Sequence, residues 1–157
     1  MSKNRFIALV PMKGHSERVP NKNLKNFNGK PLYHCIVNSL LICPKIKEVC
    51  INTDSEQIKD DIRDNFENVR IIDRPERIQG DFVSMNDIIA YDLSVTEGEY
   101  YIQTHSTNPL IKSTTISDAI NEFENSLGQI DSLFSVTRHQ TRLYWKDGQP
   151  INHNSGE

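Results

Sequence analysis

The run Phe6-Ile-Ala-Leu-Val10 breaks at Pro11 into a polar loop that continues to Lys25. Consecutive apolar residues without alternation read as a strand buried on both faces, the signature of an interior strand in a parallel sheet. The loop carries Lys13, Gly14, Ser16, Arg18, Lys22 and Lys25. A buried strand that delivers a basic, hydroxyl-bearing loop to a sheet edge is a good design for holding phosphate. Backbone N–H groups near a glycine point at an anion, and lysines neutralise it. The same composition also fits a solvated surface loop, and loop composition alone favours that plainer reading.

Beyond this loop, strand and helix patterns alternate. Asn28-Gly-Lys-Pro-Leu32 predicts a turn, followed by a helix from Pro31 to about Leu41 with proline in its first turn. Gly29-Lys30 lacks the rest of a Walker motif, so that motif is rejected. Glu48–Asn52 and Val69–Ile72 predict strands. Between them, Thr53-Asp54-Ser55 caps a helix bearing Ile58, Ile62 and Phe66. Ser84 to Asp87 forms a capping box for a helix to about Thr96, with Met85, Ile88, Ile89 and Leu93 on its inner face. Tyr100–Thr104 is a further strand. Ser113 caps a helix carrying Ile116, Ile120, Phe123 and Leu127, and Gly128 ends it. Leu133–Val136 predicts a last parallel strand. Leu143-Tyr-Trp145 and Pro150-Ile151 predict a hairpin around Asp147-Gly148. This alternation makes the chain α/β with a mainly parallel sheet. Ligands of such sheets gather outside the carboxyl ends of the strands. The polar loops after Val10, Ile72 and Gln103 fall at those ends.

Composition narrows the function. A chain of 157 residues supports one domain with a real core, and a net charge of −3 argues against a general nucleic-acid binder. No apolar run approaches the ~20 residues that span a bilayer. The N-terminus has no signal-peptide pattern. Cys35, Cys43 and Cys50 sit among apolar residues without metal-site spacing, and read as reduced thiols of a cytoplasmic protein.

Pro11-Met-Lys-Gly-His-Ser-Glu-Arg-Val-Pro-Asn-Lys-Asn23 resembles the nucleotide-binding loop of the acylneuraminate cytidylyltransferases, the CMP-sialic acid synthetases. Pro11, Gly14, Ser16, Pro20, Lys22 and Asn23 match the family's usual Pro-Ala-Arg-Gly-Gly-Ser-Lys-Gly-Ile-Pro-x-Lys-Asn. Lys13, His15 and Glu17 depart from it. Asn52-Thr-Asp54 resembles the family's Ser-Thr-Asp. Arg74-Pro75 with Asp81 and Ser84 resembles the segment around the cytosine. Thr107-Asn-Pro-Leu110 resembles Thr-Ser-Pro-Leu beside the sugar, with His105 in place of a Gln. The likeness reaches about Val136.

The resemblance implies a three-layer, Rossmann-like nucleotide-diphospho-sugar transferase fold over residues 1–157 as a single domain. It implies CMP transfer from CTP to a nonulosonic acid such as sialic, legionaminic or pseudaminic acid, with release of pyrophosphate. Lys13 and Lys22 are the implied catalytic cations. Met12, Lys13, Gly14, Ser16, Lys22, Asn23, Arg74, Asp81 and Ser84 are implied nucleotide contacts. His105, Ser106, Thr107 and Asn108 are implied sugar contacts. Magnesium is implied, but the family's Asp-x-Asp ligands are not in this chain, and Asp54 and Asp81 are the only local carboxylate candidates. The expected remainder is a final strand and helix with much of a dimerisation segment, which residues 138–157 begin, and a homodimer at full length. Neither nucleic acid nor membrane is an expected partner.

Plainer readings stand beside these. Asp54 caps a helix or reaches the site. Arg74 pairs with Glu76 at the surface or reaches the base. His105 hydrogen-bonds at a strand end or meets the sugar, and His34 is structural. Arg138, His139 and Arg142 meet a carboxylate substrate or face water. Two other functions remain open: a nucleotidyltransferase of this fold using another base or sugar, and a nucleotide-binding module without turnover.

Overall fold

The computed structural model describes residues 5–16, 19–138 and 141–154. In chain order the elements are β1 (Phe6–Leu9), β2 (Asn26–Phe27), β3 (Lys30–Pro31), α1 (His34–Leu41), β4 (Ile46–Thr53), α2 (Glu56–Asn65), β5 (Val69–Asp73), α3 (Met85–Ser94), β6 (Tyr100–Gln103) and α4 (Ser113–Asn125). The main sheet has the order β5-β4-β1-β6. All of its ladders are parallel, with Ala8 in register with Val49 on one side and Ile102 on the other.

β1 is an interior strand, as its apolar run predicts, and all of its residues are buried. Its side chains alternate between the two faces of the sheet. Phe6, Ala8 and Val10 join Ile36, Leu40, Ile58, Ile62, Ile116 and Ile120 in the larger core, supplied by α1, α2 and α4. Ile7 and Leu9 join Cys50 and Ile72 on the opposite face, with Ile89 and Tyr91 of α3 packed against them. The result is three layers, helix–sheet–helix. Each fully buried aliphatic side chain contributes about 1.5–3 kcal/mol. Tyr33 and His34, at the start of α1, both bond the Asp61 carboxylate of α2. The His34 Nε2 contact is 2.6 Å. His34 is therefore a structural tie between two helices. Among the described residues all three cysteines are free thiols.

Five details differ from the sequence reading. Pro31 is not in a helix. Asn28 and Gly29 both have positive φ, which builds a tight turn between β2 and β3, and Pro31 pairs with Asn26. The helix starts three residues later, at His34. β4 is longer than expected, from Ile46 to Thr53. On α3, Met85 and Leu93 are exposed, and only Ile88 and Asp92 are buried. Lys112 precedes α4 without a side-chain cap, and Ser113 is the first helical residue. The helix ends at Asn125, before Gly128. Leu133–Val136 is not a strand. Phe134 and Val136 are exposed, and no ladder reaches them among the described residues. Leu133 shares a cavity with β6, the border strand of the sheet, but no ladder forms between them. The hairpin near the C-terminus does form, through one antiparallel bridge between Tyr144 and Pro150.

Candidate functional site

The carboxyl ends of the parallel strands open onto a cleft of about 270 Å³. The loop after β1 supplies Met12, Lys13 and Ser16, and a short 3-10 turn, Lys22–Leu24, supplies Lys22 and Asn23. Arg74 and Asp81 come from the segment after β5. His105, Ser106 and Thr107 come from the segment after β6, and Ile88 of α3 closes one wall. Three loops far apart in sequence thus share one cavity because the strands that carry them lie side by side and parallel.

The loop after β1 is held by one ladder bond and by side chains that reach its backbone. Met12 extends the ladder, its N–H donating to the Asn52 carbonyl at 2.9 Å. The Gly14 N–H donates to Asp54 Oδ1 at 2.7 Å. A Cβ on Gly14 would sit 2.7 Å from Ser55 Cβ, so a glycine is needed for the close approach of the α2 N-terminus. Gly14 lies behind the cleft wall, and its N–H is directed at Asp54. Asp54 is not the cap of α2. That role belongs to Ser55, whose hydroxyl accepts from the Ile58 N–H.

Asn23 is buried between two loops. Its Nδ2 donates to the Lys13 carbonyl at 3.1 Å, and its Oδ1 accepts from the Ser106 hydroxyl at 2.7 Å. Lys13 forms an ion pair with Asp81 across the mouth of the cleft, with both side chains partly exposed. Lys22 also lines the cleft and makes no ion pair among the described residues.

Arg74 is only 5% exposed, so the surface pair with Glu76 does not form. Its Nε donates to Asn52 Oδ1 at 2.7 Å and its Nη2 to the Asn52 carbonyl at 3.1 Å. Asn52 Nδ2 in turn donates to Asp92 Oδ1 at 2.5 Å. Burial lowers the Arg74 pKa from its ordinary value, against the opposing charges of Asp54 and Asp92. Burial likewise raises that of Asp92, against the Asn52 hydrogen bond and the Arg74 charge. Asp92 is not marked by any motif in the sequence. Its only signal is an acidic residue four positions after Ile88, on the inward face of α3.

Besides Gly14, two expected contacts do not line the cleft. Ser84 caps α3, accepting from the Asp87 N–H at 3.1 Å and donating to the Asp87 carboxylate at 2.8 Å. Asn108 closes a turn onto the His105 carbonyl and does not line the cleft. Arg138 and Arg142 are exposed and do not line it either, while His139 lies outside the described residues. The carboxylates fit a metal poorly. Asp54 is bonded to Gly14 and Asp81 to Lys13, and among the described residues no cluster of three or more His, Cys, Asp or Glu side chains could hold an ion.

The cytidylyltransferase family model matches residues 7–151, and the chain belongs to that family. It is 28% identical over 87% of its length to the N-acylneuraminate cytidylyltransferase of Escherichia coli O18:K1:H7, covering 32% of that protein. It is 27% identical over 80% of its length to the 8-amino-3,8-dideoxy-manno-octulosonate cytidylyltransferase of Shewanella sp. strain W3-18-1, covering 50% of it. The chain thus spans half or less of these two relatives. Its fold is similar to that of a CMP:2-keto-3-deoxy-manno-octonic acid synthetase solved with CTP, with a TM-score of 0.68, 18% identity, and coverage of 79% of this chain and 49% of that one.

Proposed function

We propose that residues 1–157 form one nucleotidyltransferase domain that binds CTP and takes part in transferring CMP to a nonulosonic acid of the sialic acid class. The observation that carries this reading is the convergence of Lys13, Ser16, Lys22 and Arg74 with His105 and Thr107 on one cleft. In this reading Met12, Lys13, Ser16, Lys22 and Arg74 meet the nucleotide, and His105, Ser106 and Thr107 face the sugar acid.

The reaction is attack by a sugar hydroxyl on the α-phosphorus. A new P–O bond forms, the bond to the β-phosphate bridge breaks, pyrophosphate leaves, and the hydroxyl proton is released. The protein contributes positioning and electrostatic stabilisation of the phosphoryl oxygens. Lys22 is placed to neutralise them directly. Lys13 does so by exchanging Asp81 for phosphate. A cation near phosphate contributes about 4 kcal/mol in a partly dry site, against about 1 kcal/mol in water. Closure around the ligand therefore matters as much as charge. Lys13 keeps the charge of an arginine without its forked geometry. Magnesium chemistry belongs to the reaction class, but Asp54, bonded to Gly14, and Asp81, paired with Lys13, fit its site poorly. The cytoplasm is the proposed compartment, and a homodimer, with residues 138–157 entering its interface, the proposed assembly.

A second reading keeps the fold and changes the sugar to an eight-carbon acid. It is favoured by the similarity to an octulosonate cytidylyltransferase. A thermal-shift panel of CTP, UTP, GTP and ATP with magnesium tests the nucleotide. Greater stabilisation by GTP or ATP than by CTP would overturn the cytidylyl assignment. Pyrophosphate release with N-acetylneuraminate, legionaminate and an octulosonate as acceptors distinguishes the two sugars, and its absence with all of them would point to a binding module without turnover.

A further inference from the structure

Three side chains from three elements form a buried chain behind the cleft. Asn52 ends the apolar part of β4, Arg74 follows β5, and Asp92 comes from α3. All three are at most 5% exposed. The Asn52 amide is the link: its oxygen accepts from Arg74 Nε and its nitrogen donates to Asp92 Oδ1. The reverse orientation would set donor against donor at Arg74 and acceptor against acceptor at Asp92, so the two charges together fix the amide. Asp92 Oδ2 is buried without a hydrogen-bond partner among the described residues. A carboxylate held at such depth by one side-chain bond is a poor choice for stability alone, where an apolar residue of similar size does as well or better.

We infer that Asp92 is a positioning residue for the cleft: acting through Asn52, it fixes the guanidinium of Arg74 in the orientation that meets the nucleotide. The inference rests on the proposal that Arg74 contacts CTP. Arg74 is anchored at several points. Its N–H donates to the Thr53 carbonyl at 3.1 Å, and its own carbonyl accepts from Gln79 at 2.7 Å. The backbone is therefore set by β4 and the loop. Two bonds hold the side chain, Nη2 to the Asn52 main-chain carbonyl and Nε to the Asn52 side-chain oxygen, and only the second depends on how the amide is turned. Asn52 presents that oxygen because Asp92 holds the other end of the amide. With the carboxylate replaced by an amide, only Arg74 still favours this orientation of Asn52, so the hold on the amide, and through it on Arg74 Nε, weakens.

The test is a double-mutant cycle on CTP affinity in the full chain, by calorimetry. Asp92→Asn is expected to weaken CTP binding roughly tenfold, the scale of one buried hydrogen bond to a charged group. In the Arg74→Ala background it is expected to change affinity less than about twofold, because coupled sites are not additive. Equal losses in both backgrounds, or no loss in either, would overturn the inference. A second readout needs no nucleotide. The Arg74 Nε–H, followed by nitrogen-15 NMR, is slow to exchange in the parent protein and accelerates in Asp92→Asn. If the parent protein binds no CTP, the functional proposal fails, and an unchanged Nε–H exchange rate then overturns the relay itself. Should Asp92→Asn not fold, Asn52→Ser shortens the same link. It is expected to give the same loss of affinity and of Nε–H protection, and parent-like values for both would overturn the relay.

Discussion

Ser106 donates its hydroxyl to Asn23 Oδ1 at 2.7 Å, and both side chains are buried. This bond ties the loop after β1 to the loop after β6, the two walls of the cleft that the resemblance assigns to nucleotide and to sugar. Asn23 therefore spends its polar atoms on Ser106 and on the Lys13 carbonyl, while the Ser106 hydroxyl, a donor here, can still accept. Ser106→Ala leaves a buried acceptor without its donor, which costs about 1–3 kcal/mol. The expected outcome is a lower urea midpoint with an unchanged slope, together with weaker CTP binding. A parent-like midpoint would show that the two loops hold their places independently.

Gly14 is constrained by Ser55 and not by its own dihedrals. Among the described residues the three atoms nearest to such a Cβ all belong to Ser55, the first at 2.7 Å. Gly14→Ala should destabilise by about 1–3 kcal/mol through overpacking. Ser55→Gly costs a few tenths at a helix N-cap, since glycine is tolerated there. The double variant Gly14→Ala/Ser55→Gly should therefore be more stable than Gly14→Ala alone. Thermal melts of the four proteins decide this, and strictly additive losses would refute it.

Lys22 and Lys13 differ in what they leave behind. Lys22→Ala removes a cleft cation that has no ion-pair partner among the described residues, so it should weaken CTP binding severalfold with little change in melting temperature. Asp81→Asn frees Lys13 from its ion pair and removes a negative charge from the mouth of the cleft. Its expected effect is tighter CTP binding, most evident at low ionic strength. Calorimetry at two salt concentrations measures both. Weaker binding by Asp81→Asn would mean that the carboxylate itself contacts the ligand.

Burial, helped by Glu48, pushes the Cys50 thiol up to about 12. An unfolded thiol ionises near 8.5. Below that pH both states hold the proton, and the stability linked to it is fully present. As pH rises from about 8.5 toward 12, only the unfolded chain ionises, and stability falls by up to about 1.4 kcal/mol per unit. Tyr33, raised by burial and by Asp61, acts in the same direction above about pH 10. Urea midpoints at about pH 7.5, 9 and 10 should decline in the parent and decline less steeply in Cys50→Ala. Equal slopes would assign the alkaline loss to other groups. At pH 8 a thiol reagent should label half-buried Cys35 well before buried Cys43 and Cys50.

The sequence was most readable where local pattern and burial coincide. The unbroken apolar run at Phe6 places β1 inside the sheet, and the spacing of Ile58 and Ile62 places α2, because a strand or helix period is a local property. The cleft was readable as three loops, because carboxyl ends of parallel strands converge by construction. What each residue bonds to was not readable. Asn23 and Ser106 are 83 positions apart, and Gly14 and Asp54 are 40 apart. No periodicity reports such pairs. Asp92 was hidden for the same reason: its partners lie on β4 and after β5. Leu133–Val136 failed in the opposite direction. Its composition is that of a strand, but composition does not decide whether a segment joins the open border of β6, and this one does not.

The strand order also sets a length. Arg74 leaves β5 at one border of the sheet, and His105 leaves β6 at the other, with β4 and β1 between them. Three inter-strand spacings of about 4.8 Å separate those borders, roughly 14 Å in all. The sheet therefore acts as a ruler laid across the mouth of the cleft. Neither a lone phosphate nor a single hexose ring reaches from one mark to the other. A base, ribose and phosphates in line with a sugar acid do reach. The parallel ladder thus suits the two-part occupant of the proposed reaction, and it does so through backbone spacing that no side-chain substitution in the loops alters.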